Sequence, residues 1–335
     1  MLALTEHLAD EIDGEQAFRA KIVDSCRPAV IRNLVRDWPL VREAADTPAS
    51  AARYLKTFDA GRRAEAFVGK RALGGRYDYD EPLTGFNFDR ETLGISDALD
   101  RIISGLDDPA APTLYLGSLP TDSYLSGFAA VHQARVIPAT IVPRVWIGHA
   151  SVIPCHHDNV DNLACVAAGT RRFLIYPPDA IGDLYVGPID HTMAGQPVSL
   201  AAGSTPGDPR FPRFEAIRDT AFAAELRPGD AIYIPKLWWH RVEASSSFNI
   251  LVNFWWDAFQ AGPDAPYPTM LLAMAAIAER PAAERAAWRA FFDHYVFRPS
   301  GHPLAHLPAK HHGLLGTSAT GRLRAIAMRI LRGGG

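Results

Sequence analysis

The spacing of hydrophobic positions changes twice along the 335 residues. In the first third, apolar residues recur at helical intervals in short stretches. Phe18 and Ile22 lie four apart in "EQAFRAKIVDSC", which predicts a helix. "ISDALDRIISGL" sets Ile95, Leu99, Ile102 and Ile103 on one helical face. "TPASAARYLKTF" opens with Thr47 as an N-cap and Pro48 at the first helical position. Between these, "PAVIRNLV" and "AEAFVG" read as strands.

From about residue 113 the apolar runs shorten. "TLYLGSL", "RVWIGHA", "LACVAAGTRRFLIYPP", "DAIYIP" and "FNILVNFWW" are strand-like and separated by Gly, Pro, Asp and Ser. The "AAGT" within the third run is a hairpin signal. Repeated short strands with such turns predict a sandwich or barrel. Residues 187–215 form a long insertion rich in Pro and Gly. A loop of that length in a compact domain is functional or mobile. After Asp257 helical spacing returns in "PTMLLAMAAIAER" and in "PAAERAAWRAFFDHYVF", where Trp288, Phe291, Phe292 and Tyr295 recur at helical intervals. The tail gathers Leu323, Ile326, Ala327, Ile330 and Leu331 on one face, with Arg322, Arg324, Arg329 and Arg332 mostly elsewhere. Such a helix is expected to pack on its own protein or on a second copy in preference to a membrane surface.

Composition narrows the function classes. The chain is 48% hydrophobic, ample for a large core, and its length allows one large domain or two smaller ones. A net charge of −3 gives no nucleic-acid footprint, so DNA is not an expected partner. No apolar run reaches about 18 residues and no basic-plus-apolar signal opens the chain. No membrane association is expected, and the expected location is cytoplasmic. The three cysteines, Cys26, Cys155 and Cys165, make no CxxC pair. They read as small buried apolar residues in a reducing compartment.

The chemistry concentrates in "PCHHDNVDN", residues 154–162. The preceding "RVWIGHASVIP" is extended, and in a strand the side chains i and i+2 share a face. His156 and Asp158 therefore point together, and His157 points away toward an outer or surface role. One imidazole and one carboxylate supply two ligands of a 2-His-1-carboxylate site. "YIPKLWWHRV" offers the third in His240, at the end of an apolar strand-like run, with Trp238 and Trp239 as pocket walls. Such a triad leaves metal positions open for a co-substrate and dioxygen, which suits non-haem Fe(II). Zinc favours a closed four-ligand set or a different catalytic triad. An HxD alone is a weak signal, common among surface and capping residues. Asp161 reads as a turn residue and His149 as a hydrogen-bonded strand histidine.

The wider context "IPCHHDNVDNLACVAAGTRRFLIYPPD" followed by "RPGDAIYIPKLWWHRVEA…FNILVNFWW" resembles the cupin-like JmjC family of Fe(II)/2-oxoglutarate oxygenases. Within that family it resembles the branch of the asparaginyl hydroxylase that inhibits the hypoxia-inducible factor. "PAVIRNLVRDWP", "LTGFNF" and "DPRFPRF" extend the likeness over most of the chain. It implies a mainly β fold with flanking helices, a double-stranded β-helix core of the cupin or jelly-roll type. The expected layout is an N-terminal helix and strand region at 1–112, a catalytic core at 113–260 and C-terminal helices at 261–335, integrated as one domain. The C-terminal helices are expected to dimerise the chain.

The resemblance also implies roles. His156, Asp158 and His240 would bind Fe(II). Arg171, fifteen positions after the first histidine, stands where the branch has a lysine for the far carboxylate of 2-oxoglutarate. Alternation puts Arg171 on the inner face with Phe173 and Ile175, while Arg172 reads as a solvated hairpin residue. Asn162 and Asn253 match amides near the co-substrate, or are structural hydrogen-bonders. Tyr115 matches a tyrosine that bonds the co-substrate carboxylate, or is a core tyrosine. Ile153 replaces a threonine and removes one hydrogen bond. The implied reaction is hydroxylation of an unactivated C–H bond, of a peptide or protein side chain, with release of succinate and carbon dioxide. Hydroxylation of a small molecule or RNA base, N-demethylation, and a non-catalytic binding module are the alternatives.

Overall fold

The strand-rich middle of the chain forms two facing sheets in the computed structural model, which describes residues 1–81, 83–260, 262–316 and 320–331. Among the described residues the strands are β1 (Leu2–Ala3), β2 (Thr5–Leu8), β3 (Ala29–Arg32), β4 (Arg63–Gly69), β5 (Asp89–Gly94), β6 (Thr113–Pro120), β7 (Pro143–Gly148), β8 (Ser151–His156), β9 (Asp161–Ala168), β10 (Arg171–Tyr176), β11 (Phe222–Leu226), β12 (Ala231–Ile234), β13 (Trp239–Ala244) and β14 (Asn249–Trp256). One sheet has the order β1-β11-β10-β13-β8, the other β2-β3-β12-β9-β14-β7-β6-β4-β5. The pairings β1–β11 and β2–β3 are parallel and the rest are antiparallel.

The sheets enclose a core to which both contribute. Phe173, Ile175, Ala224 and Val242 come from the smaller sheet; Ala164, Val166, Ile232 and Leu251 come from the larger. The outer face of the larger sheet is buried as well. Leu163, Cys165 and Ala167 of β9 pack there with Leu40, Leu55 and Leu99 of the N-terminal helices. A strand covered on both faces needs no polar alternation, which is why "LACVAA" reads as one apolar run. Thr47 caps the helix Pro48–Lys56 by accepting from the Ser50 amide, with Pro48 in the first turn. The helix Ile95–Ser104 buries Ile95, Leu99 and Ile102 completely. Each such side chain contributes about 1.5–3 kcal/mol.

Two local expectations are corrected. "AAGT" does not make a hairpin, because β9 pairs with β12 and β14 while β10 pairs with β11 and β13 in the other sheet. Gly169, at φ +74°, carries the chain from sheet to sheet. A Cβ there would lie 2.2 Å from Asn249 Oδ1, so the corner admits no side chain. Arg172 is accordingly not a hairpin residue but a strand residue of β10, opposite Glu225 and Glu243. His240 does not end the apolar run either. That run stops at Ile234; Leu237 follows at φ +67°, and His240 is the second residue of β13. Proline lacks the N–H needed for a ladder, so Pro235 breaks the strand.

The chain divides into the units Met1–Ala258 and Phe259–Gly335. The second unit contains the helices Pro266–Ile277, Ala282–Phe292 and Thr320–Leu331, with Arg324 paired to Asp264 at 2.9 Å. Arg332 and the side chain of Leu331 lie outside the described residues. No helix among the described residues is long and apolar enough to cross a membrane.

Candidate metal centre

β8 ends on His156, and its ladder with β13 sets His156 directly opposite His240. The two rings stand 4.4 Å apart, just before an irregularity between His240 and Val242. Each imidazole is tied back to its own strand. Nδ1 of His156 meets the Pro154 carbonyl at 2.8 Å, and Nδ1 of His240 meets the Trp238 carbonyl at 3.0 Å. A carbonyl oxygen only accepts, so the proton belongs on Nδ1 and Nε2 keeps its lone pair. Asp158 follows the strand, and its carbonyl accepts from the Leu237 amide at 2.8 Å. That contact clips the turn before β13 onto the loop after β8.

One ligand atom from each of His156, Asp158 and His240 lies within 4.8 Å of the others. His240 Nε2 stands 3.7 Å from Asp158 Oδ2. Burial, and after it the neighbouring His156, push the pKa of His240 down to about 4. The imidazole is therefore neutral near pH 7, as a metal ligand must be. Two imidazoles and one carboxylate fit a divalent first-row metal with further positions open.

The carboxylate is oriented by a chain of amides. Trp146 Nε1 donates to Asn253 Oδ1 at 2.8 Å, Asn253 Nδ2 donates to Asn162 Oδ1 at 3.2 Å, and Asn162 Nδ2 donates to Asp158 Oδ2 at 3.1 Å. Both asparagines are buried on adjacent strands of the larger sheet. In this structure their amides are engaged with each other and with Asp158.

Arg171 opens β10 and is 1% exposed. Its Nε and Nη2 have no hydrogen-bond partner among the described residues. Burial lowers its pKa, and the facing Tyr115 hydroxyl opposes that shift. Tyr115 in turn is pushed up to about 12 by burial, against the pull of Arg171. Arg171, Tyr115, Asn162, Asn253 and the three metal-binding candidates all line one small cavity between the sheets. Its remaining walls include Ile153, Phe173, Val242 and Leu251. A mainly apolar cavity with a few convergent polar groups is the usual build of a small-ligand site. A buried guanidinium with unsatisfied donors costs several kcal/mol, a cost that an anion in the cavity would offset.

A second, larger cleft of about 710 Å³ opens onto the same His156 and Asp158. The 187–215 insertion supplies part of its wall through Met193, Gln196 and Val198. Val198 bridges to His156, and the Ser199 amide donates to the Cys155 carbonyl at 2.7 Å. The insertion is also tethered by Arg90, which donates to the Met193 carbonyl at 2.6 Å, and by Tyr79, which donates to the His191 carbonyl.

Several sequence-based assignments change. His157 is not a surface residue; it is buried against Trp239 at 4.7 Å, and it is not part of the ligand cluster. Asp161 is not a turn residue. It starts β9 fully buried and accepts from the Tyr233 hydroxyl at 2.8 Å and the Ala258 amide at 2.9 Å. Lys236 stands 3.5 Å from its carboxylate. Trp238 and Trp239 belong to the packed core, and the indoles beside the metal candidates are Trp146 and Trp255. Trp255 lies two residues from Asn253, so strand alternation offered a signal for it. His149 is hydrogen-bonded through both nitrogens, to the Leu114 amide and the Ile102 carbonyl. Cys155 and Cys165 are buried, but Cys26 is exposed.

The facing sheets and this ligand set define a double-stranded β-helix protein of the cupin type. The chain belongs to the cupin-like domain family, whose sequence profile matches residues 15–262. It is similar to Jumonji C domain-containing protein 5 of Drosophila melanogaster, with 24% identity over 72% of this chain and 57% of that protein. A lysine-specific demethylase of Arabidopsis thaliana shows 27% identity over 69% of this chain and 50% of its own length. A human bifunctional peptidase and (3S)-lysyl hydroxylase shows 28% identity over 33% of this chain and 40% of its own. The chain thus spans about half the length of the curated relatives it matches.

Proposed function

We propose that this chain is an Fe(II)- and 2-oxoglutarate-dependent oxygenase that hydroxylates an unactivated C–H bond in a peptide or protein side chain. The observation that carries this reading is Arg171, a buried cation with unsatisfied donors, lining the same cavity as the His156, Asp158 and His240 cluster. A dicarboxylate with one end on the metal and the other on the guanidinium satisfies both. The relatives include proteins named as a hydroxylase and as demethylases, which supports the same chemistry.

His156, Asp158 and His240 would hold iron. Arg171, whose Nε and Nη2 are unsatisfied, would hold the far carboxylate of 2-oxoglutarate, with the Tyr115 hydroxyl beside it. Asn162 and Asn253 keep the Asp158 carboxylate turned. Ile153, Phe173 and Leu251 give the cavity an apolar lining. When bound, iron and 2-oxoglutarate would supply the oxidation of the substrate C–H bond by dioxygen, with succinate and carbon dioxide as co-products. The protein's part is positioning and shielding.

The exposed apolar side chains of the second unit, among them Leu272, Phe291, Val296 and Phe297, support a homodimer formed through the C-terminal helices. Three free cysteines support a reducing, cytoplasmic setting. The test of the activity is succinate release that requires both Fe(II) and 2-oxoglutarate and is lost in His156→Ala. Absence of turnover together with unchanged metal binding in His156→Ala refutes it. Formaldehyde release identifies N-demethylation, the second reading that the demethylase relatives support.

A further inference from the structure

The charge of the outer cleft runs against that of the chain. The protein carries a net −3, yet beyond the metal candidates the charged residues of the cleft are Arg62, Arg90, Arg144 and a single carboxylate, Glu65. Arg90 occupies Glu65 at 2.5 Å. The other two guanidinium groups meet no carboxylate among the described residues. Both are held over aromatic rings: Arg144 lies 5.0 Å from the Trp255 ring centre and Arg62 lies 5.7 Å from that of Tyr124. Arg144 is further fixed by its bond to Ser118 Oγ at 2.7 Å. The enclosed indole N–H of Trp255, on the same wall, has no acceptor among the described residues.

We infer that the outer cleft selects a substrate carrying a carboxylate on or beside the residue that reaches the metal, an acidic peptide segment; this rests on the oxygenase reading proposed above. Two guanidinium groups that meet no carboxylate within the described residues favour a carboxylate-bearing ligand by charge, and Arg144, fixed by Ser118 and Trp255, offers it a positioned fork. A lysine or methyl-lysine side chain entering the same cleft meets like charge, and the one available carboxylate is already paired. The cleft is therefore unsuited to the substrates for which the lysine-directed relatives are named.

The experiment titrates three Gly/Ser peptides of equal length, bearing aspartate, asparagine or lysine at the same positions. Each is added to the full chain with Mn(II) and 2-oxoglutarate, and to the full chain without them. The aspartate peptide is expected to bind tighter than either counterpart by at least about tenfold. The preference is expected to collapse in Arg62→Gln/Arg144→Gln. Equal affinities, a lysine preference, no binding by any peptide, or a preference surviving in the folded double variant overturns the inference. Should the double variant fail to fold, Arg62→Gln at its exposed position replaces it, together with the loss of the wild-type preference as salt rises. A chain that binds neither Mn(II) nor 2-oxoglutarate yet prefers aspartate refutes the oxygenase reading alone. One that binds both yet prefers lysine refutes the substrate inference alone.

Discussion

Asn162 donates to Asp158 Oδ2 at 3.1 Å, which orients that carboxylate beside His240. The orientation is inherited from Asn253 and Trp146 behind it. Removing the donor frees the carboxylate to rotate. Asn162→Ala is expected to weaken Mn(II) binding by about 10–100-fold, the usual cost of losing an outer partner of a ligand. Calorimetry reads this directly, and wild-type affinity in the variant would show that Asp158 is oriented by other means.

Arg171 makes the opposite kind of prediction for stability and for binding. Its charge is buried with unsatisfied donors, so Arg171→Met removes a cost that the ligand-free fold bears. The variant is expected to gain about 1–4 kcal/mol in urea unfolding, as apolar replacement of buried charge can. The same variant should lose 2-oxoglutarate binding and keep Mn(II) binding. A destabilised Arg171→Met would mean that the guanidinium is satisfied within the protein.

Asp161 joins three parts of the barrel end: the Tyr233 hydroxyl, the Ala258 amide and Lys236. Asp161→Ala strands the Tyr233 hydroxyl and the Ala258 amide, while Lys236 keeps its ion pair with Asp257. We expect a loss of about 3 kcal/mol or more in global stability, since each stranded buried polar group costs about 1–3 kcal/mol. Denaturant unfolding measures it, and a loss below about 1 kcal/mol would place Asp161 among ordinary surface substitutions.

His132 lies away from the metal candidates and supplies a pH prediction of its own. It is fully buried, stacked on Phe128 at 3.9 Å, and bonded to the Phe128 carbonyl and the Leu40 amide. Burial pushes its pKa down to about 4. The unfolded state binds the proton first as pH falls, so stability is full above about pH 6.5 and declines toward pH 4. The contribution at stake is about 3 kcal/mol. His132→Gln, which cannot titrate, is expected to flatten the stability profile between these pH values. An unchanged slope would assign the acid sensitivity to other groups.

Elements with strong local signals are legible in the amino-acid sequence. Thr47 and Pro48 mark a helix start, and Ile95, Leu99 and Ile102 define its neighbour's buried face. The pairing of His156 with Asp158 follows from extended backbone alone. Features set by pairing between distant segments are not legible in this way. Gly169 has the same left-handed turn whether the flanking strands pair or part, so only the partners β12, β14, β11 and β13 distinguish a corner from a hairpin. Asp161 resembles a turn residue because its three partners lie 72 or more positions away in sequence. The cationic cleft leaves no local trace, since Arg62 precedes β4 and Arg144 lies in β7, far apart in sequence.

We propose that one dicarboxylate spans the distance from the His156, Asp158 and His240 cluster to Arg171. A crystal structure of the full chain grown with Mn(II) and 2-oxoglutarate under nitrogen tests it most directly. The expected result is a metal bound by those three side chains and continuous density from it to the Arg171 guanidinium. Metal bound elsewhere, or density that reaches the cluster while Arg171 stays unpaired, would contradict it.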